Sequence, residues 1–178
     1  LLSVVPGADV AIGLGVRRGG LRADLPAGVL TRGPLYDVFP FDNRVVTLSL
    51  TGAQLRQVLT DQVVRRRRGL PSVSGFRVRV TCEEDRPDLE IVRSSGVKID
   101  PTETLIVSTT DFFARRARFS SHLMPPETPL TSAALVRNAA AAWLTARGGR
   151  LRDDGLIDPP RWEPLDSGAC LVADRSDR

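Results

Sequence analysis

Histidine is almost missing from this chain: His122 stands alone among 178 residues. A dinuclear metal hydrolase needs several imidazoles and carboxylates converging on its two ions. One histidine in a loop before Pro125-Pro126 excludes this chain, by itself, from that class. Cysteine is nearly as scarce. Cys82 and Cys170 are too few and too far apart for a structural zinc site. Whether they pair depends on the fold bringing the tail beside Cys82, which spacing does not decide. No run of about 18 uncharged apolar residues occurs, so no helix is expected to span a membrane. The chain opens on Leu1 with neither a methionine nor a signal-peptide pattern, and we expect a processed or excised piece with a neighbour before it. No internal repeat or low-complexity tract is present.

What is there suits one domain with a proper core, since 42% of the residues are hydrophobic. The formal net charge is +4, and its basic residues are overwhelmingly arginine. A guanidinium keeps its charge under any realistic condition and meets phosphate with a planar fork; a GC-rich genome explains the same bias without any ligand. The run Arg65-Arg-Arg-Arg68 reads as a solvated helix end that complements the macrodipole. As a nucleic-acid patch it lacks interleaved aromatics and a second basic segment. Only this run and a pI near 10.0 favour a nucleic-acid partner, so none is expected.

The order of elements is legible from periodicity and turn chemistry. Ala8 to Leu14 reads as a short buried strand, and Gly13, Gly15, Gly19 and Gly20 then mark a tight loop. Thr31 is expected to cap a short helix over 33–39 with Pro34 in its first turn. Arg44 to Leu50 alternates as a strand. Thr51 then caps a helix over 52–64, with Leu55, Val58, Leu59 and Gln62 or Val63 on its inner face. Phe76 to Glu83 alternates strictly, which predicts one buried and one wet face. Leu89 to Ser94 and Glu103 to Thr110 are further strands; residues 84–88 read as a hairpin connection and Asp100-Pro101 as a turn. At Asp111-Phe-Phe-Ala114 one aromatic is expected inside and the other in a cleft, with Phe39 and Phe113 the better core candidates. Residues 115–131 read as loop, since Pro125, Pro126 and Pro129 forbid regular structure. A helix over 132–147, capped by Thr131 or Ser132, ends at Gly148-Gly149. The expected fold class is therefore α+β, a mixed β-sheet with packed helices. Its main domain covers 1–152, and a polar extension over 153–178 is partly docked through Trp162 and Leu165.

The glycine turn carries an arginine, Gly19-Gly-Leu-Arg22, and an aromatic turn, Phe39-Pro-Phe-Asp-Asn43, follows it. Together they form a device for gripping an anion and stacking a planar ring. With Ala8-Asp-Val-Ala-Ile12, Ala27-Gly28, Thr31, Thr51-Gly-Ala-Gln-Leu55, Ser74-Gly75, Asp100-Pro101 and Thr110-Asp-Phe112, the order resembles the C-terminal domain of the 5'-nucleotidase family over roughly residues 8–119. The resemblance implies a substrate-binding domain without catalytic residues of its own. Its partner would be an N-terminal metallophosphoesterase domain holding two divalent metals, so no cofactor is expected in this chain. By the same resemblance the ligand is a nucleotide or another phosphorylated small molecule, and the location is periplasmic or extracellular.

Residue by residue, Arg22 matches the arginine that meets the phosphate or ribose, where a bidentate fork suits the role; pairing with Asp24 or Asp42 is the alternative. Phe41 and Phe112 match the two rings that clamp the base, and core packing is their alternative. Two departures stand out. An asparagine contacting the base is replaced by Arg17, and a Gly-Gly-Asp-Gly turn on the ribose by Arg115-Arg-Ala-Arg118, which puts Arg118 where a carboxylate accepted hydrogen bonds. A guanidinium cannot accept one. Arg17, Arg18, Arg115, Arg116 and Arg118 thus either rim a cleft for a more anionic ligand or mark a degenerate, Arg-rich pocket on a non-catalytic binding module.

Overall fold

The computed structural model describes residues 7–13, 22–25, 27–65, 70–84, 86–116, 134–149 and 161–166. Within these, β1 is Val10–Gly13, α1 Arg32–Val38, β2 Val45–Thr51 and α2 Gly52–Arg65. Strands β3 (Ser72–Ser74), β4 (Phe76–Glu83), β5 (Arg86–Arg93) and β6 (Thr104–Thr110) follow. Helix α3 (Asp111–Arg116), helix α4 (Val136–Ala146) and strand β7 (Trp162–Pro164) complete the order. The architecture is α+β, with mixed sheets and packed helices, as the periodicities predict.

One sheet has the order β2-β6-β1-β3 and the other β5-β4-β7. Strand β6 runs antiparallel to β2 and parallel to β1. Val10 and Ile12 of β1, Val46, Leu48 and Leu50 of β2, and Leu105 and Val107 of β6 enter a common core by the two-residue period of a strand. Helix α2 closes that core with Leu55, Val58, Leu59 and Val63, and the second sheet adds Phe76, Val78, Val80, Leu89 and Ile91. Burial of each such side chain contributes about 1.5–3 kcal/mol, so the main stabilising face of the protein lies around α2.

The entry to α2 explains its motif. Thr51 Oγ1 accepts from Gln54 N at 3.2 Å and Gln54 Oε1 accepts from Thr51 N at 2.8 Å, a reciprocal capping box. Gly52 is there because the Asp100 turn lies against it. A β-carbon at this position would stand 2.2 Å from Asp100 O, while Gly52 N and Ala53 N donate to the carbonyls of Glu103 and Pro101. The Asp100 carboxylate shapes that turn by accepting from Thr102 N and Oγ1 at 2.7 and 2.6 Å.

Several boundaries differ from those the sequence predicts. The β4–β5 connection is tighter, because pairing runs from Phe76↔Arg93 to Glu83↔Arg86 and takes Pro87 into the ladder. Strand β5 is a sheet edge, where a proline loses nothing; Glu84, at φ 46°, takes the left-handed turn position. Arg115 and Arg116 belong to α3 and not to a loop. Thr31 makes no side-chain cap on α1 and offers its carbonyl to Leu35 N instead. Helix α4 begins at Val136, later than the expected 132, because residues 134 and 135 pair extended with the start of β2: Val45 N donates to Ala134 O, and Arg44 bridges Leu135. Gly148, at φ 72°, ends it as expected.

The extension docks through Trp162, which packs on the core and donates Nε1 to Pro71 O at 2.9 Å. Leu165, by contrast, is exposed and contributes its backbone N–H to Val80 O. Cys82 is disulfide-bonded. The other cysteine of the sequence, Cys170, lies outside the described residues, as do Arg66 to Arg68 and His122.

Candidate functional site

The site predicted from sequence lies at one end of the β2–β6 pair. The antiparallel register sets Val45 opposite Thr110. Phe41, a few residues before β2, and Phe112, just after β6, are therefore delivered to the same sheet end. Backbone bonds draw these two segments together: Arg44 N donates to Asp111 Oδ1 and Asp111 N to Arg44 O, each at 2.9 Å. The Asp111 carboxylate also accepts from Phe112 N at 2.8 Å, and Thr110 Oγ1 from Phe113 N at 3.1 Å, which starts α3.

Within α3 the adjacent aromatics separate as expected. Phe113 is 2% exposed and belongs to the core, whereas Phe112 is 37% exposed. Phe41 is 43% exposed. Phe39, expected in the core, is only half-buried; it stands just past the end of α1 as its C-cap. Buried phenylalanine is the common case, so two half-exposed rings at one sheet end are a feature that core packing leaves unexplained.

Arg22 joins this end. Its backbone N–H donates to Val38 O at 3.1 Å, and its guanidinium carbon lies 5.0 Å from the centroid of the Phe41 ring. That is cation–π distance. Asp42, considered above as a partner for Arg22, pairs with Arg137 at 2.5 Å. Among the described residues Arg22 forms no ion pair with Asp24 either. The structure thus brings Arg22 onto Phe41 and places Phe112 at the same end, whereas Arg17 and Arg118 lie outside the described residues.

Arg137, on the first turn of α4, was not singled out by the sequence. Its Nη1 donates to Phe41 O at 3.2 Å, its Nη2 to Asp42 Oδ1 at 2.5 Å, and its guanidinium lies 5.0 Å from the centroid of Tyr36 on α1. The only signal was a charge within an otherwise alanine-rich helical face, which is also what a solvated residue looks like.

A groove of 820 Å³ elsewhere, between α2, β5 and the Asp100 turn, is lined by Arg56, Asp88, Glu90 and Lys98. Its charges satisfy one another, Arg56 with Asp88 and Lys98 with Glu90. Among the described residues no three His, Cys, Asp or Glu side chains gather as a metal site, and no helix is long and apolar enough to cross a membrane.

Fold and site together define a mixed-sheet α+β domain that presents aromatic and guanidinium groups at one sheet end. The chain belongs to the 5'-nucleotidase C-terminal domain family, whose profile matches residues 5–118. The 5'-nucleotidase precursor of Thermus thermophilus shares the fold, with a TM-score of 0.63 and 24% identity over 90% of this chain and 32% of that one. The sulfate thiohydrolase SoxB of the same organism is similar as well, with a TM-score of 0.65 and 17% identity over 92% of this chain and 30% of that one. In sequence, the endonuclease YhcR of Bacillus subtilis (strain 168) is 29% identical over 96 residues, which is 54% of this chain and 8% of that protein. The chain therefore spans less than a third of the length of each relative.

Proposed function

We propose that this domain binds the substrate of a larger 5'-nucleotidase-like phosphohydrolase, a nucleotide or a related phosphorylated small molecule. Phe41 and Phe112 clamp the base and Arg22 meets the phosphate or ribose; Arg17 and Arg118, outside the described residues, are the further arginines this reading assigns to the ligand. Catalysis belongs to a separate N-terminal metallophosphoesterase domain that carries the divalent metals. The observation that supports this most is the Arg22 guanidinium lying over the half-exposed Phe41 ring, at the sheet end that also carries Phe112. A ring stacks any base and an arginine forks onto any phosphate, so the pair recognises a class of ligand. Export to the periplasm or cell surface fits the disulfide at Cys82, since such bonds persist in oxidising compartments.

The test is turnover and binding of adenosine 5'-monophosphate by the intact protein, with Phe41→Ala as the variant. Loss of one stacking face is expected to raise KM about tenfold, with kcat nearly unchanged. No binding of any nucleotide, together with an unchanged KM in Phe41→Ala, would sink the proposal. A second reading, a non-catalytic binding module with a degenerate pocket, draws on Arg115-Arg-Ala-Arg118 standing where the family has its ribose-binding turn. Turnover of nucleotides by the native protein with added divalent metal would end that reading.

A further inference from the structure

Phe41 sits in a turn between α1 and β2, outside any regular element and nearly half exposed. Such a ring would ordinarily sample several orientations, and a ligand stacking on it would have to immobilise it. The surroundings of the turn argue otherwise. Arg137 reaches from the first turn of α4 and binds two consecutive residues of the turn with one guanidinium, the Phe41 carbonyl at 3.2 Å and the Asp42 carboxylate at 2.5 Å. The guanidinium carbon lies 5.0 Å from the centroid of the Tyr36 ring, and the Arg137 side chain is only 20% exposed. The base of α4 is itself stitched to this turn, since Val136 N donates to Asn43 O at 2.9 Å. One planar fork can satisfy the carbonyl, the carboxylate and the ring face together, and an ammonium cannot.

We propose that Arg137 is a positioning residue: it holds the Phe41 turn in the orientation that receives the ligand, without touching the ligand itself. This rests on the nucleotide reading above and adds a residue outside the segment 5–118 that matches the family. Its contribution is preorganisation, because a ring already fixed need not be ordered at the moment of binding. The arrangement makes Arg22 and Arg137 different in kind. Arg22 lies on the Phe41 ring, and Arg137 holds the backbone beneath it.

The experiment uses the full-length protein, with adenosine and adenosine 5'-monophosphate as probes in calorimetry. Arg137→Gln is expected to weaken both by about fivefold, the size expected when one side chain must be newly immobilised on binding. Arg137→Lys is expected to recover only part of this. Asp42→Asn is a milder second variant, since that side chain is 77% exposed; it should lose affinity in the same sense. Combining Arg137→Gln with Phe41→Ala should add nothing to Phe41→Ala alone, because the role is exerted through the ring. Amide exchange over 39–44 should quicken in Arg137→Gln while β4 and β5 keep their protection. Weakened monophosphate binding with unchanged adenosine binding would make Arg137 a phosphate contact and overturn the positioning role. Unchanged affinity for both probes in Arg137→Gln, where Phe41→Ala still loses affinity, would overturn it too. Unchanged affinity in Phe41→Ala would instead overturn the nucleotide reading beneath it.

Discussion

The two sides of this domain use arginine in different ways. Around α2, β4 and β5 the cations face carboxylates: Arg56 meets Asp88, Arg79 meets Glu90 and Glu163, Arg93 meets Glu103 and Lys98 meets Glu90. Around the Phe41 turn Arg22 instead lies on the Phe41 ring, with no carboxylate partner among the described residues, while Arg137 combines the two uses, resting on Tyr36 and pairing with Asp42. A guanidinium held by a carboxylate has spent its fork inside the protein. One lying on a ring keeps N–H donors at its edge for something else. The same residue type thus closes one side of the molecule, and on the other Arg22 is left receptive. An excess of arginine in the composition cannot distinguish the two uses; the partner of each one does.

If that division holds, the closed side should carry the stability and the open side the binding. Gly52→Ala drives a methyl group into the backbone of the Asp100 turn. We expect a loss of about 3 kcal/mol, read as a lower urea midpoint, because the obstacle is main chain and cannot rotate away. Phe41→Ala, in contrast, should lower the stability read from that midpoint by under about 1 kcal/mol, as its ring is half exposed already. Similar losses from the two variants would erase the distinction between the sides.

The next effect concerns the strap along β4. Strand β7 runs parallel to β4, Glu163 pairs with Arg77 and Arg79, and Asp166 accepts from Cys82 N at 2.5 Å beside the disulfide. Cys82→Ser should cost about 2 kcal/mol, the lower end for loss of a native disulfide, since the β7 ladder and Trp162 keep the strap in place. Unfolding with and without reductant measures this. Nucleotide affinity should stay unchanged, because the strap belongs to the closed side.

Much of the closed side was legible in the sequence, and the reason is local. The alternation of Phe76, Val78 and Val80, the helical spacing of Leu55, Val58, Leu59 and Val63, and the Thr51–Gln54 box are short-range patterns, and the structure repeats them. The open side depends on pairings far apart in the chain. Arg137 and Asp42 are 95 residues apart, and nothing in either neighbourhood announces the other. The start of α4 was misplaced for the same reason: Leu135 is suited to a helix by propensity, yet its backbone is taken by Arg44. Strand β7 is too short for alternation and holds a proline, so the docking of the extension was legible only from Trp162 and Leu165, of which Leu165 is exposed. Family order still pointed to Phe41 and Phe112 together, and the β2–β6 register does bring their segments to one sheet end, because such order carries long-range information that periodicity lacks.

The smallest effect is the response to acid, and it too should divide the molecule. Lys98 beside Glu90, aided by Arg79, holds that carboxyl below its ordinary value of 4.5 against the opposing effect of burial. Hydrogen bonds from Thr102 hold Asp100 below 3.8. A carboxyl whose folded pKa is depressed stabilises the fold in full above its unfolded pKa, and that contribution is lost as pH falls through the folded one. Both groups border the α2–β5 groove, so acid should loosen that side first. Below about pH 4.5, amide protection in β5 and the Asp100 turn should fall before protection in α4 does. Glu90→Gln should flatten the dependence of the urea midpoint on pH in the window below 4.5, where the wild-type group takes up its proton. The effect must be modest, because partly exposed ion pairs contribute little each. If the two sides lost protection together, the acid response would be global and the groove charges would have no special part in it.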